Sequence, residues 1–294
     1  MKKLLWTLSV LALVSCGSDD DNGVTPQPEP RRTLTVVVGE NPMQDENAQQ
    51  NGDATARETF TRTAAATTTS SLSHFTLNFF LGGENNPQEF NKGYSRWNEA
   101  DWPQTVANDT KIDFYAHDGG TFYCDWNGGN PYVSFTMLED AFKQKDLLLA
   151  KNSVAFKENN GHVPLLFDHA CAGVQFYVYQ KDSETYIVKS IILKNVKNTG
   201  KCRFSDYTWS DVSGTANYTL TDEKNNITIS NDLQLLPCQW LFIIPQDKSD
   251  LRLEITYTKN GGSETTKTLS LPAGTWEAGK QYTVNIRIGK SAAS

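Results

Sequence analysis

Histidine and basic charge are scarce in this chain, and each shortage closes a class of function. Its 294 residues include four histidines, at positions 74, 117, 162 and 169, too scattered for a histidine-rich metal site. Lys and Arg number 27 against 34 Asp and Glu, a formal charge of −7, so the strongly basic face of a nucleic-acid binder is missing. The five cysteines include no CxxC pair and no small disulfide-scaffold spacing. The apolar run at residues 4–14 falls short of the ~20 residues that a membrane-spanning helix needs. At ~100–200 residues per domain, the length suggests two domains. Each is long enough to bury a core without disulfide or metal staples.

Residues 1–15 read as an export signal, with Lys2 and Lys3 ahead of the short apolar run. The run ends in Leu13-Val14-Ser15-Cys16, which looks like a bacterial lipobox. In such a motif the cysteine is diacylated and becomes the new N-terminus, so Cys16 is the candidate lipidation site. Loss of Lys2 and Lys3 leaves 25 basic against 34 acidic residues, a charge of −9. Ser18-Asp19-Asp20-Asp21 reads either as a surface-export tag or as a plain acidic spacer. With its three prolines, the stretch 16–32 is expected to be a disordered tether. Cys124, Cys171, Cys202 and Cys238 remain. Cys171–Cys202 as a cross-strand bridge and four free thiols are both compatible with an exported protein.

The rest of the chain reads as strand after strand. Leu34, Val36 and Val38 alternate in a short β-branched run, followed by a long polar loop over residues 39–57. Residues 59–71 form a Thr/Ala/Ser tract whose threonine density favours extended structure. Phe75, Leu77 and Phe79 share a face, and short strands are expected at 112–116, 132–137 and 146–150. One or two helical turns are expected within 137–145. Asn159-Asn160-Gly161 is a turn signal and the expected boundary between domains at 33–160 and 161–294. Beyond it, Ala170, Ala172, Val174, Phe176 and Val178 alternate with polar neighbours, as do Leu251 to Tyr257 and Tyr282 to Ile288. That pattern is that of antiparallel sheets with one wet face, eight or nine strands packed as a sandwich. Asn260-Gly261-Gly262 marks a hairpin.

Three stretches imitate chemical motifs. Gly274 to Gln281 nearly matches a phosphate-binding loop, but Gln281 stands where Ser or Thr must hold Mg²⁺, and a strand follows instead of a helix. Asp168, His169 and Cys171 look like a catalytic set, yet neighbours on a strand point to opposite faces, so Asp168 turns away from the other two. A structural histidine is the expectation. Asp125 to Asn130 has oxygen ligands and glycines but lacks the closing Glu of a calcium loop. Residues 90–135 hold eleven aromatics. These rings either fill the open end of a sandwich or offer sugar-stacking faces, with Trp97, Trp102, Tyr123 and Trp126 as candidate ligand contacts.

Longer strings carry a family likeness. Pro164-Leu165-Leu166-Phe167-Asp168-His169-Ala170-Cys171-Ala172-Gly173-Val174-Gln175-Phe176 resembles the hallmark of the bacterial fimbrillins, the type V pilin-like lipoprotein precursors. Ile191 to Val196 with Gly200, Ile243-Ile244-Pro245-Gln246, Trp276 to Tyr282, and Arg62-Thr63-Ala64 resemble further segments of that family in the same order. The resemblance covers residues 34–288. It implies an all-β fold of two tandem transthyretin-like Greek-key β-sandwich domains. It also implies a non-enzymatic fimbrial subunit without cofactor or metal, lipid-anchored at the outer membrane and exposed at the cell surface. Its partners would be other fimbrial subunits and a host or bacterial surface glycan or protein.

In stalk members an arginine-specific protease removes the first strand, and a neighbour's C-terminal strand fills the groove. Here Leu34, Val36 and Val38 mark the candidate removable strand, with Arg57 and then Arg62 as candidate processing sites. Only six small or polar residues follow Ile288, too few for a donor strand at ~3.3 Å per residue. Either the stretch 282–288 itself swings out as the donor, or the subunit does not donate and is expected at the tip, at the anchor or as an accessory rather than as a repeating stalk pilin. The other expectation is a surface glycan-binding lipoprotein of a nutrient-uptake system. Mass spectrometry of surface-extracted protein tests the N-terminal reading. A start at diacylated Cys16 marks an anchored subunit and a start at Glu58 a processed one, whereas a start at Met1 contradicts both.

Overall fold

The computed structural model describes residues 31–45, 56–57, 72–124, 129–221, 224 and 226–289. From Arg32 onward the chain forms one compact unit. Its first strands are β1 (Thr33–Glu40), β2 (Gln44–Asp45), β3 (Ala56–Arg57), β4 (His74–Leu81), β5 (Glu84–Asn85), β6 (Gln88–Asn91), β7 (Ala100–Asp101), β8 (Lys111–Asp118), β9 (Thr121–Tyr123), β10 (Tyr132–Thr136), β11 (Leu148–Ala155) and β12 (His162–His169). There follow β13 (Ala172–Gln180), β14 (Tyr186–Val196), β15 (Thr199–Arg203), β16 (Trp209–Ser213), β17 (Ala216–Thr219), β18 (Ile227–Thr228), β19 (Gln234–Leu235), β20 (Leu241–Ile243), β21 (Gln246–Asp247), β22 (Arg252–Lys259), β23 (Glu264–Ser270), β24 (Thr275–Trp276) and β25 (Lys280–Ile288). The helical content expected before residue 145 is a single 3-10 turn, Ala141–Lys143, capped by the Asp140 carboxylate.

Alternating side chains build these strands as period-2 patterning requires. In β13, Val174, Phe176 and Val178 are buried while Gln175, Tyr177 and Tyr179 are half-exposed. In β22, Leu253, Ile255 and Tyr257 point inward. The Asn260-Gly261 turn between β22 and β23 has positive φ at both residues, 50° and 70°, and is closed by Gly262 N–H donating to the Lys259 carbonyl at 2.9 Å, with an extra residue in the loop before the Thr258↔Glu264 pair.

Two hydrophobic cores result. The first lies within one eight-stranded sheet, ordered β5-β4-β8-β11-β12-β1-β7 with β6 beside β4. That sheet curls strongly: β4 and β12 are three places apart, yet the Phe75 and Phe167 rings sit 5.2 Å apart. The second core is closed by the sheet containing β13 and β25 and the sheet containing β14 and β22, with Val133 of β10 and Cys202 of β15 joining it. β11 is a shared wall. Its Leu148 and Ala150 belong to the first core, and Leu149 to the second.

The expected boundary at 160/161 therefore does not separate the cores. Val163, Leu165 and Phe167, placed by the sequence in the second domain, fill the first core. Val133, Met137, Ala141, Leu147 and Leu149, placed in the first, fill the second. The turn at 159–161 reverses the chain, but β12 then pairs with β11 and β1 in the same sheet.

Gly161 shows how closely β1 approaches. Its φ is +81°, and a Cβ there would lie 2.1 Å from the Thr33 carbonyl oxygen. Its own carbonyl accepts from Thr35 N–H at 3.0 Å. Gly161→Ala is expected to lower stability by about 2 kcal/mol, read from urea unfolding, because it adds both strain and a clash. An unchanged midpoint would contradict this packing.

Candidate functional site

β1 is the element that a fimbrial reading would remove, and the structure shows how it is held. It runs parallel to β12 from Thr35↔His162 to Glu40↔Phe167. On its other side β7 covers only Thr33 and Leu34, and among the described residues no strand pairs with the rest. Leu34 is fully buried, and Val36 and Val38 pack half-buried against the first core. These three side chains are the inward face expected from the sequence. Burying a leucine is worth about 2 kcal/mol, and half-burying a valine about 1.

Both ends of β1 are pinned. Arg32, expected at the end of a disordered tether, donates to the carbonyls of Val106 at 2.8 Å and Pro103 at 3.0 Å and to Asn108 Oδ1 at 2.6 Å. At the far end Glu40 Oε1 lies 3.2 Å from His169 Nε2, and Asp146 Oδ2 lies 2.5 Å from His169 Nδ1. All three side chains are at least 94% buried: His169 is 2%, Glu40 4% and Asp146 6% exposed. Burial alone would lower the His169 pKa, but hydrogen bonds to Asp146 and Glu40, and the charge of both, lift it to about 9.

This cluster is not catalytic machinery. With both ring nitrogens facing carboxylates, His169 has no nitrogen left to act as a base. Burial pushes the Cys171 thiol well up, aided by the Asp146 charge, so it is no nucleophile. Asp168 does turn away from His169, and accepts from Asn41 Nδ2 at 2.6 Å. Glu40 and Asp146 were missed as partners of His169. One sign was available: Glu40 continues the alternation of Leu34, Val36 and Val38, which puts an acid on an apolar face.

After β1 the chain crosses to the second core. Gln44 N–H donates to the Gly279 carbonyl at 2.7 Å, β2 pairs with Lys280 and Gln281, and β3 pairs Arg57 with Asn285 and Ala56 with Ile286. Arg57 thus lies in a short paired strand, although the sequence places it at the end of a loop. Residues 35–40 thus edge β12, and residues 44–45 and 56–57 edge β25.

The aromatic candidates have other places. Trp102 is fully buried between Phe114 and Phe156, so it fills the first core and offers no face to a ligand. Trp97 packs edge-on against Phe75 at 4.9 Å. Tyr123 is half-exposed and stacks on Tyr132 at 5.5 Å. Trp126, Cys16 and Arg62 lie outside the described residues. Cys171, Cys202 and Cys238 are buried free thiols, and Cys124 is partly exposed.

A family model described as fimbrillin-like matches residues 46–294. Among curated proteins nothing matches significantly. The fold is similar to the crystal structure of a fimbrial protein from Bacteroides vulgatus, with 18% identity, a TM-score of 0.54, and coverage of 87% of this chain and 95% of that one. It is also similar to a proposed cell adhesion protein from Bacteroides ovatus, at 10% identity and a TM-score of 0.50, covering 88% of this chain and 93% of that one.

The His169 cluster, through Asp146 and through Glu40 of β1, is expected to make the stability of the fold pH-dependent. Because its folded pKa, about 9, exceeds the unfolded 6.5, its stabilisation is complete below pH 6.5 and is lost as pH rises through 9. The full effect is about 3 kcal/mol. Unfolding free energies from urea titrations at about pH 6 and about pH 9.5 are expected to differ by that amount, and His169→Gln to abolish the difference. An equal drop in the variant contradicts the assignment.

Proposed function

Because the chain belongs to the fimbrillin-like family, we propose that it is a non-enzymatic fimbrial subunit that accepts a strand from a neighbour once residues 33–57 have left. On this reading the two cores are the family's two transthyretin-like sandwiches. Cys16 anchors the precursor by lipid in the outer membrane, and cleavage after Arg57 frees the segment at the cell surface. The observation that carries the proposal is the position of β1. It lies at the end of the pairing beyond Leu34, it supplies alternate apolar plugs to the first core, and it leaves β12 as an open edge when it goes. An open edge is a template: main-chain hydrogen bonds give affinity, and the vacated side-chain pockets give register.

β25 supports an accessory, tip or anchor position. It pairs with β13 over eight residues, from Gly173↔Gln281 to Gln180↔Ile288, and buries Tyr282, Val284, Ile286 and Ile288 in the second core. Withdrawing it to serve a neighbour would open that core, so β25 is not available as a donor. Its role is that of an acceptor.

The protein mixed with companion fimbrial subunits tests this. Treatment with an arginine-specific protease is expected to yield a detergent-resistant complex with a companion subunit. The treated protein alone is expected to stay monomeric, and Arg57→Ala to block complex formation. Complex formation without cleavage would falsify strand acceptance, and chains of the treated protein alone would exclude the accessory position.

A further inference from the structure

The geometry points to a charge-reading position at the end of the β1 groove: His169, held by Asp146, selects an incoming strand that carries a carboxylate two residues beyond its third apolar plug. This rests on the strand-acceptor reading above and names the chemistry of the strand accepted.

Leu34, Val36, Val38 and Glu40 share one face of β1 because strand side chains alternate. Three of those positions meet apolar core, and the fourth meets His169 Nε2. When β1 leaves, Glu40 leaves with it. Asp146 still balances the charge of the imidazolium, but the Nε2–H is left facing the vacated groove end. A strand that buries an apolar side chain there offers this donor nothing in place of the Glu40 carboxylate. A lysine there sets two cations together. A carboxylate restores a charge-assisted hydrogen bond, the stronger kind.

The chain's own β25 fails this requirement in every register that offers three plugs. Laid parallel, as β1 is, Tyr282, Val284 and Ile286 bring Ile288 to His169, and Val284, Ile286 and Ile288 bring Lys290. Laid antiparallel, the same two sets bring Lys280 or Tyr282. No register presents an acid. The groove therefore rejects the last strand of a second copy and takes a strand from a different subunit, one with the pattern of three alternate apolar residues followed by Asp or Glu.

Displacement from a nicked protein tests this. The full chain is given one site for a sequence-specific protease within residues 46–55 and cut there, so that the N-terminal segment stays bound without a covalent link. Synthetic peptides with the sequence of residues 33–41 are then added, and release of the segment is followed by size exclusion. The native peptide is expected to displace it. A peptide with Glu40→Gln is expected to be about tenfold weaker, and one with Glu40→Lys or the sequence of residues 280–290 to displace nothing. In His169→Gln protein the preference for Glu over Gln disappears. Equal displacement by the Glu, Gln and Lys peptides of native protein overturns charge reading and leaves strand acceptance standing. Displacement by none of them overturns strand acceptance and the inference together. The peptide series on native protein decides even if the His169 variant does not fold.

Discussion

The outermost strand of a sheet presents a row of N–H and C=O groups that must be covered, paired or kept in water. In this protein one sheet of each core, the one with β12 and the one with β25, meets that constraint through the same N-terminal part of the chain. Residues 33–40 cover β12 of the first sheet, and residues 44–45 and 56–57 cover β25 of the second. Both coverings are short and local to one segment, while the strands they cover are built from distant parts of the sequence. The consequence is mechanical. On the proposed reading, one peptide bond broken after Arg57 would release the covering of both strands and take Leu34, Val36 and Val38 out of the first core. The shared wall of β11 keeps those cores together, since Leu148 faces one and Leu149 the other.

A covering strand must be held firmly before release and leave cleanly after it. Burial of Leu34, Val36 and Val38 gives the hold without specificity, because any alternating apolar strand offers the same. The contact of Glu40 with His169 adds direction and register, since only one placement of the strand brings the acid to the imidazole. Asp146 matters because it lies on the body of the protein, 2.5 Å from His169 Nδ1, and with Glu40 it holds the imidazole charged against the effect of burial. On the proposed reading the cluster is a fixed half-site, His169 and Asp146, on the body of the protein and a removable half, Glu40, on the strand.

Local periodicity made much of this fold legible. The alternations in β13, β22 and β25, the Asn260-Gly261 hairpin and the plugs of β1 all follow from a repeat of two residues, which needs no knowledge of partners. What stayed hidden depends on which strands pair. Asn159 to Gly161 is a sound turn, but no local pattern shows that β12 returns to the first sheet rather than opening a second domain. His169 stood out in the sequence, while its partners lie 129 and 23 residues away, at Glu40 and Asp146. Trp102 has the same composition around it as a surface aromatic would, and only the curl of the first sheet encloses it.

The central claim is that residues 33–57 seal both sheets as one removable unit. Amide hydrogen exchange of β12 and β25, compared before and after residues up to 57 are removed, tests it most directly. The account predicts that residues 162–167 and residues 280–286 lose protection together, while β14 and β22 keep theirs. Loss confined to β12, with β25 as protected as before, would contradict it.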